Sequence, residues 1–220
     1  GIHSDEAVRS HISQITDFYV DGSNGMFVSL EPEFNGAITL REFVNGRGGT
    51  LDYKTFNQVF KQILVAERAA IKDYGLYHRD LHPGNILINP KTLEVRITDF
   101  TNAALVDGTV SKATPTSGAR FMRDPLLDVK FTGQERAYGE DSEMYGLGVL
   151  ALQLLTGKSA VTYDFDKGTG AGINGERLTD EHGHVNPWEH DKAFVRATLD
   201  MPKDAGSHAY WIRAVTTFGT

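Results

Sequence analysis

Apolar residues recur at three- and four-residue steps between residues 52 and 74, where Tyr53, Phe56, Val59, Phe60, Ile63, Leu64, Ala70, Ile71 and Tyr74 share one face. This spacing predicts the clearest helix in the chain, with Asp52 capping its start and Gly75 stopping it. A second, more continuously apolar stretch, Glu143–Leu155, predicts a buried helix that ends at Gly157. Near the start, Ala7, Val8, Ile12 and Ile15 fall on one stripe, so residues 4–16 read as a helix capped by Ser4 or Asp5. Short β-like runs come in two pairs. Phe18–Val20 and Met26–Leu30 flank the turn cluster Asp21–Gly25, and Ile86–Ile88 and Val95–Ile97 flank Asn89–Thr92, so each pair predicts a hairpin. Ile38–Val44 reads as a short helix closed by the Gly46–Gly49 cluster. Residues 101–140 are polar and irregular, 158–183 are Gly- and Asp-rich and loop-like, and 188–200 and 207–217 predict two more helices.

Composition narrows the function classes. A chain of 220 residues with 40% hydrophobic and 23% charged positions predicts a folded protein built around one large domain. Lys and Arg total 22 against 29 Asp and Glu, a formal charge of −7, which argues against nucleic acid or an anionic membrane as a partner. The longest apolar run, around Val149–Leu155, is broken by Gln153 and falls far short of a membrane span. No basic segment followed by an apolar one opens the chain, so a secretory leader is not expected. With no cysteine at all, disulfide scaffolds, thiolate zinc sites and thiol nucleophiles are excluded. The expected location is inside a cell, in cytoplasm or nucleus, whether made there or delivered as an effector.

The chemistry concentrates between Tyr77 and Thr101, in YHRDLHPGNILINPKTLEVRITDFT. A long helix ends, a tight polar loop presents Asp80, His82 and Asn85, and the hairpin that follows carries Asp99 back toward that loop. Two carboxylates and a carboxamide at the tips of adjacent segments are the oxygen donors a hard cation such as Mg²⁺ selects. A carboxylate close to a metal-bound phosphate can also orient or deprotonate a hydroxyl. Taken singly, Asp80 and Asp99 read as turn-capping acids and His78 as a core histidine; the spaced set is what points to chemistry.

H-R-D-L-x-x-x-N followed by D-F resembles the catalytic loop and metal-binding motif of the protein-kinase superfamily. The resemblance extends outward. Met26–Gly36 with Thr39–Leu40 is similar to the fifth strand and hinge, residues 53–74 to the helix before the catalytic loop, and SEMYGLGVLALQLLTGK (142–158) to the large buried helix of the C-lobe. It implies an α+β, protein-kinase-like fold, with a mainly helical C-lobe over 35–220, of which 159–220 match poorly. Residues 1–34 would form a partial N-lobe of one helix and a β-hairpin, with the hinge at 31–36. It further implies ATP and Mg²⁺ as cofactors. Asp80 would be the catalytic base and His82 would stand at the phosphate-facing position usually held by lysine. Asn85 and Asp99 would ligate Mg²⁺ and the nucleotide phosphates, and Glu31 would border the nucleotide at the hinge. Arg79 would brace the activation segment, and His78 would support the loop through the Asp99 region.

Several departures mark the sub-class. Thr101 replaces the glycine of the D-F-G motif, no A-P-E motif is present, and Glu143 takes the place of the aspartate that usually opens the buried helix. LEPEFNG, HRDLH-x-GN and the D-F-T ending together resemble haspin-type kinases, while HRDLHPGNIL is equally similar to loops of aminoglycoside-type phosphotransferases and bacterial effector kinases. No strand lysine or N-terminal Gly-rich loop is evident; Glu6 is the one acid placed to act as the helix glutamate, but it reads more simply as an exposed first-turn acid favoured by the helix dipole. The expectation is therefore that a partner or a further segment completes the N-lobe. Gly170-Ala-Gly172-Ile-Asn-Gly175 fits G-x-G-x-x-G but reads as a flexible surface loop, and His182, His184 and His190 read as part of a solvated stretch. The leading function is phosphoryl transfer to a Ser or Thr hydroxyl of a protein substrate. The alternatives are a scaffold that performs no transfer and a small-molecule kinase using acids such as Asp164, Asp166, Asp180 and Glu181.

Overall fold

A computed structural model describes residues 10–13, 16–21, 26–105, 124–127, 129–133, 138–164, 167–199, 201 and 212. Helix α1 spans Leu40–Asn45 and α2 spans Tyr53–Lys72; the short α3 spans Val129–Thr132, α4 Glu140–Thr156 and α5 Pro187–Leu199. The strands are β1 Asp17–Asp21, β2 Met26–Leu30, β3 Ile38–Thr39, β4 Leu76–Tyr77, β5 Ile86–Ile88, β6 Val95–Ile97, β7 Ala104–Leu105, β8 Val161–Asp164 and β9 Thr169–Gly172. This is an α+β architecture of helices and small antiparallel sheets, with a core shared by α2, β5–β6, α4 and α5.

Helix α4 is buried on nearly every side, with Leu147, Leu150, Leu152 and Leu154 almost inaccessible. A helix apolar all round belongs in the middle of a core. It ends as the sequence predicts: Gly157 adopts φ +69 and donates its N–H to Gln153 O at 2.8 Å. One turn earlier, Leu154 O accepts from Leu51 N at 2.7 Å, which joins the end of α4 to the chain entering α2. Helix α2 begins where Asp52 Oδ1 accepts from Thr55 N at 3.0 Å. It stops two residues earlier than the apolar spacing suggests. Asp73 N and Tyr74 N both donate to Ala69 O, which closes the last turn, and Tyr74 is left exposed.

Both expected hairpins form. β1 pairs with β2, and β5 pairs with β6 in the register Ile86↔Ile97, Leu87↔Arg96, Ile88↔Val95. Ile38–Thr39 corrects the expected short helix: these residues pair with β5 as β3, and the helix begins at Leu40 because Thr39 caps it. The Thr39 hydroxyl accepts from Glu42 N while the Glu42 carboxylate accepts from Thr39 N, a reciprocal capping box.

Within the predicted N-terminal helix, residues 11–13 are instead extended. Ile12 bridges Ile97 in parallel, Ser13 N donates to Ile97 O at 2.7 Å, and Ile97 N donates to His11 O at 2.8 Å. The outer edge of β6 offers backbone groups that need partners, and an extended segment satisfies them as a helix could not. Ser4, Glu6 and the rest of that predicted helix up to residue 9 lie outside the described residues.

Part of the loop-like 158–183 stretch is instead strand: Val161–Asp164 and Thr169–Gly172 pair as the β8–β9 hairpin, while 173–183 is turns and isolated bridges. Gly170 lies against the Tyr163 ring, where a Cβ would come within 2.5 Å of Cε1, so the glycine serves a close strand-to-ring packing. The G-x-G-x-x-G text is therefore a strand and its turn, with Gly172 N bonded to Glu176 O at 2.8 Å. Helix α5 matches its expected span, and of 207–217 only Ile212, helical and buried, is described. No helix among the described residues is long and apolar enough to cross a membrane.

Replacing Leu150, fully buried at the centre of α4, by alanine leaves a cavity between α4 and its neighbours. The expected cost is about 2–5 kcal/mol of unfolding free energy. The half-exposed Val65→Ala should cost under about 0.5 kcal/mol as a surface change. Urea denaturation of both variants checks the difference.

Candidate active site

The polar loop between β4 and β5 and the end of β6 meet because of strand register. Ile86 pairs with Ile97, so Asn85 and Thr98 stand opposite one another just beyond the ladder, and Thr98 N donates to Asn85 O at 3.0 Å. Asp99 follows directly. It adopts φ +63, a left-handed conformation uncommon for residues other than glycine, and caps the 3-10 turn Phe100–Asn102. Its Oδ1 accepts from the Thr101 hydroxyl at 2.5 Å and, at 3.4 Å, from Thr101 N. Thr101, where glycine was the family expectation, thus fixes the carboxylate rotamer.

Thr98 carries contacts in three directions. Its carbonyl accepts from His78 Nε2 at 3.1 Å, its N–H holds Asn85, and its hydroxyl donates to Glu31 Oε2 at 2.9 Å. Ser13 Oγ donates to the same Glu31 oxygen at 2.5 Å. The exposed Glu31 carboxylate therefore ties the exit of β2 to the residue preceding Asp99.

The histidines have readable tautomers. His78 Nε2 faces a carbonyl and must carry hydrogen, while Nδ1 accepts from Asp80 N at 3.2 Å. Burial pushes the His78 pKa down, against the pull of the Thr98 carbonyl and the two aspartates, so the ring is neutral. His82 Nδ1 accepts from Gly84 N at 2.9 Å, and Nε2 lies 3.9 Å from Asp80 Oδ1. Its pKa is also lowered, chiefly by burial, with Asp80 opposing and Arg41 assisting.

Asp80 is half-buried. Its Oδ2 accepts from Asn102 Nδ2 at 3.1 Å and its carbonyl from Asn85 Nδ2 at 3.0 Å. Asp80, His82, Asn85 and Asp99 are thus gathered on two neighbouring turns, as their spacing suggests. The other candidates do not converge. His190 is buried with Nδ1 2.6 Å from the Tyr163 hydroxyl, whereas His182 and His184 sit on an exposed turn. Asp180 Oδ1 accepts from the backbone N–H of both His182 and His184, and Asp164 Oδ1 caps its own turn through Lys167 N. No cluster of three or more His, Asp or Glu side chains able to hold a metal occurs among the described residues.

A family model described as "Protein kinase domain" matches residues 3–192. The chain belongs to the protein kinase family.

Among related kinases, mitogen-activated protein kinase kinase 2 of Arabidopsis thaliana is 30% identical over 169 residues, covering 71% of this chain and 45% of the relative. Serine/threonine-protein kinase PknA of Mycobacterium tuberculosis is 32% identical over 148 residues, 58% of this chain and 31% of the relative. Dual specificity mitogen-activated protein kinase kinase 1 of Dictyostelium discoideum is 30% identical over 141 residues, 64% of this chain and 20% of the relative. The chain spans less than half the length of these kinases.

Beneath the Arg79–Asn85 loop of this kinase-family chain lies a pair of buried acids. Glu143, in the first turn of α4, accepts through Oε1 from Arg79 N at 2.7 Å and also accepts from the Tyr138 hydroxyl. Arg79 itself holds φ +66, so the carboxylate secures a strained backbone next to Asp80. Burial raises the Glu143 pKa to about 7, despite the opposing N–H of Arg79, the Tyr138 hydroxyl and the Arg79 charge. Glu67 on α2 is buried beside it, with neither carboxylate oxygen hydrogen-bonded. Burial, reinforced by Glu143, pushes its pKa well up. Sequence reasoning noted Glu143 but missed Glu67, Thr98, Asn102 and Tyr138. The signal for Glu67 was present: it lies four residues after Ile63 and four before Ile71, on the apolar face of its helix.

These acids set a pH dependence of known sign. In the unfolded chain both carboxyls ionise near 4.5, whereas folding keeps them protonated to about 7 for Glu143 and higher than normal for Glu67. The folded state then binds more protons than the unfolded one, so stability falls as pH rises through that window. His78 and His82, whose pKa values are depressed below 6.5, work oppositely, with stability gained as pH rises to about 6.5. The wild-type melting temperature should therefore decline as pH rises from about 6.5 through the Glu143 pKa of about 7. Glu67→Gln should flatten that decline, whatever its effect on absolute stability; an unchanged slope in thermal melts would contradict the assignment.

Proposed function

We propose that this kinase domain transfers the terminal phosphoryl group of ATP, held with Mg²⁺, to a Ser or Thr hydroxyl of a protein substrate. The observation that supports it is the placement of Asp80, Asn85 and Asp99 on facing backbone ends. The fit to a hard cation is chemical. Asn85 uses its Nδ2 on the Asp80 carbonyl, which leaves Oδ1 as its free donor oxygen, and Asp99 uses Oδ1 on Thr101, which leaves Oδ2. One carboxylate and one carboxamide suit Mg²⁺, which takes few protein ligands and completes its shell with phosphate oxygens and water. Bound Mg·ATP supplies the phosphoryl group and neutralises charge on its oxygens.

The chain's own residues do the rest. Asp80, held by Asn102 and by its backbone contacts, takes the hydroxyl proton as the new O–P bond forms and the bond to the leaving diphosphate breaks. Neutral His82 places its Nε2–H on the Asp80 side of the loop, where it orients rather than neutralises. Glu31, fixed by Ser13 and Thr98, borders the nucleotide side of the hinge.

In the full protein, Mg²⁺-dependent ATP binding and radiolabel transfer to protein acceptors test this reading. Asp80→Asn should lower transfer by about 10²–10⁴-fold with nucleotide affinity nearly unchanged. Equal loss of binding and transfer would remove Asp80 from the proposed role. A folded wild-type sample that binds no Mg·ATP up to about millimolar concentration favours the scaffold alternative.

A further inference from the structure

Arg41, the second residue of α1, is exposed, yet it is docked on the catalytic loop. Its backbone N donates to Pro83 O at 3.0 Å, and its Nη2 lies 3.5 Å from His82 Nδ1. His82 in turn places Nε2 3.9 Å from Asp80 Oδ1. Asp80, His82 and Arg41 therefore form a short row from the proposed site of hydroxyl activation out to solvent. Position 84 permits this row. A side chain there would come within 2.7 Å of His82 Cε1 and 2.9 Å of Arg41 Nη2, so only glycine lets the guanidinium settle over the loop. No carboxylate lies within ion-pair distance of Arg41 among the described residues. In a chain with a formal charge of −7, a guanidinium with no acidic partner beside the reacting centre is a specific electrostatic feature.

We infer that Arg41 is a specificity-determining residue that selects protein substrates carrying an acidic or phosphorylated side chain close to the phosphoacceptor hydroxyl. The inference rests on the phosphotransfer reading for the place of that hydroxyl. A guanidinium recognises a carboxylate or phosphate through paired N–H donors, and a lysine-bearing substrate would meet like charge. His82 does not compete for the anion through Nδ1, which accepts from Gly84 N. An acidic residue brought next to Arg41 thus gains a cation held in place before the substrate arrives, with little ordering cost.

The test uses the full protein and fluorescein-labelled Ala/Gly peptides containing one Ser. Each peptide carries phosphoserine, Ala or Lys at a single position within two residues on either side. Fluorescence anisotropy at low salt reads affinity without requiring turnover. At one or more positions the phosphoserine peptide should bind about five-fold or more tighter than the Lys peptide. Arg41→Ala should abolish that preference, Arg41→Glu should reverse it, and Gly84→Ala should weaken it by displacing the guanidinium. Equal binding of the three peptides, no measurable binding of the phosphoserine peptide, or a preference that survives Arg41→Glu overturns the inference. Radiolabel transfer measured in parallel separates the two readings: an Arg41-dependent preference without transfer to any peptide upholds anion selection and removes the kinase activity. Transfer without the preference does the reverse.

Discussion

One hydrogen bond, from Arg79 N–H to the Glu143 carboxylate, ties the loop that carries Asp80 to the core. Arg79 adopts a left-handed backbone conformation that costs energy for any residue with a Cβ. A carboxylate planted at the start of α4, the most deeply buried helix, offsets that cost. From this anchor the chain turns into Asp80, whose N–H meets His78, whose other ring nitrogen meets Thr98, the residue before Asp99. The acids of the site are therefore referenced to the centre of the core through a chain of single contacts. Each contact is direct, and each involves a group with few alternatives in a buried setting.

The electrostatics of this arrangement are opposed to one another. The site presents aspartates at its surface, while directly beneath it two glutamates are stripped of water. Burial makes the lower pair reluctant to ionise, and burial also keeps His78 and His82 uncharged. Burial therefore disfavours negative charge on Glu67 and Glu143, directly beneath the aspartates that the proposed chemistry uses. Neutral histidines offer directed hydrogen bonds without competing as cations, which suits a loop whose role is to hold a geometry.

Much of this was legible in the sequence, and for stated reasons. The helices α2 and α4 have long apolar patterns, α2 with the capping Asp52 and α4 with the terminating Gly157, and both hairpins have β-like runs around turn residues. Asp80, Asn85 and Asp99 were legible because their spacing matches a family motif. The misreadings share a different cause. Residues 11–13 carry a helical apolar spacing, but the open edge of β6 imposes extension, and such an edge is visible only once the sheet exists. Gly170 looked like a loop glycine because its neighbour in space, the Tyr163 ring, is seven residues away across a hairpin. Glu67 stood in plain view on an apolar stripe, yet its meaning depends on Glu143, 76 positions later in the chain. Long-range partners, more than local propensity, separate the parts that could be read from those that could not.

The two-residue ladder between β4 and β7 has a mechanical side. Leu76 pairs with Leu105 and Tyr77 with Ala104, so the stretch that contains Asp80, Asn85 and Asp99 is closed by a single short ladder. Both ends of that stretch meet at this short ladder, so its exit is held beside its entry rather than at Asp99 itself.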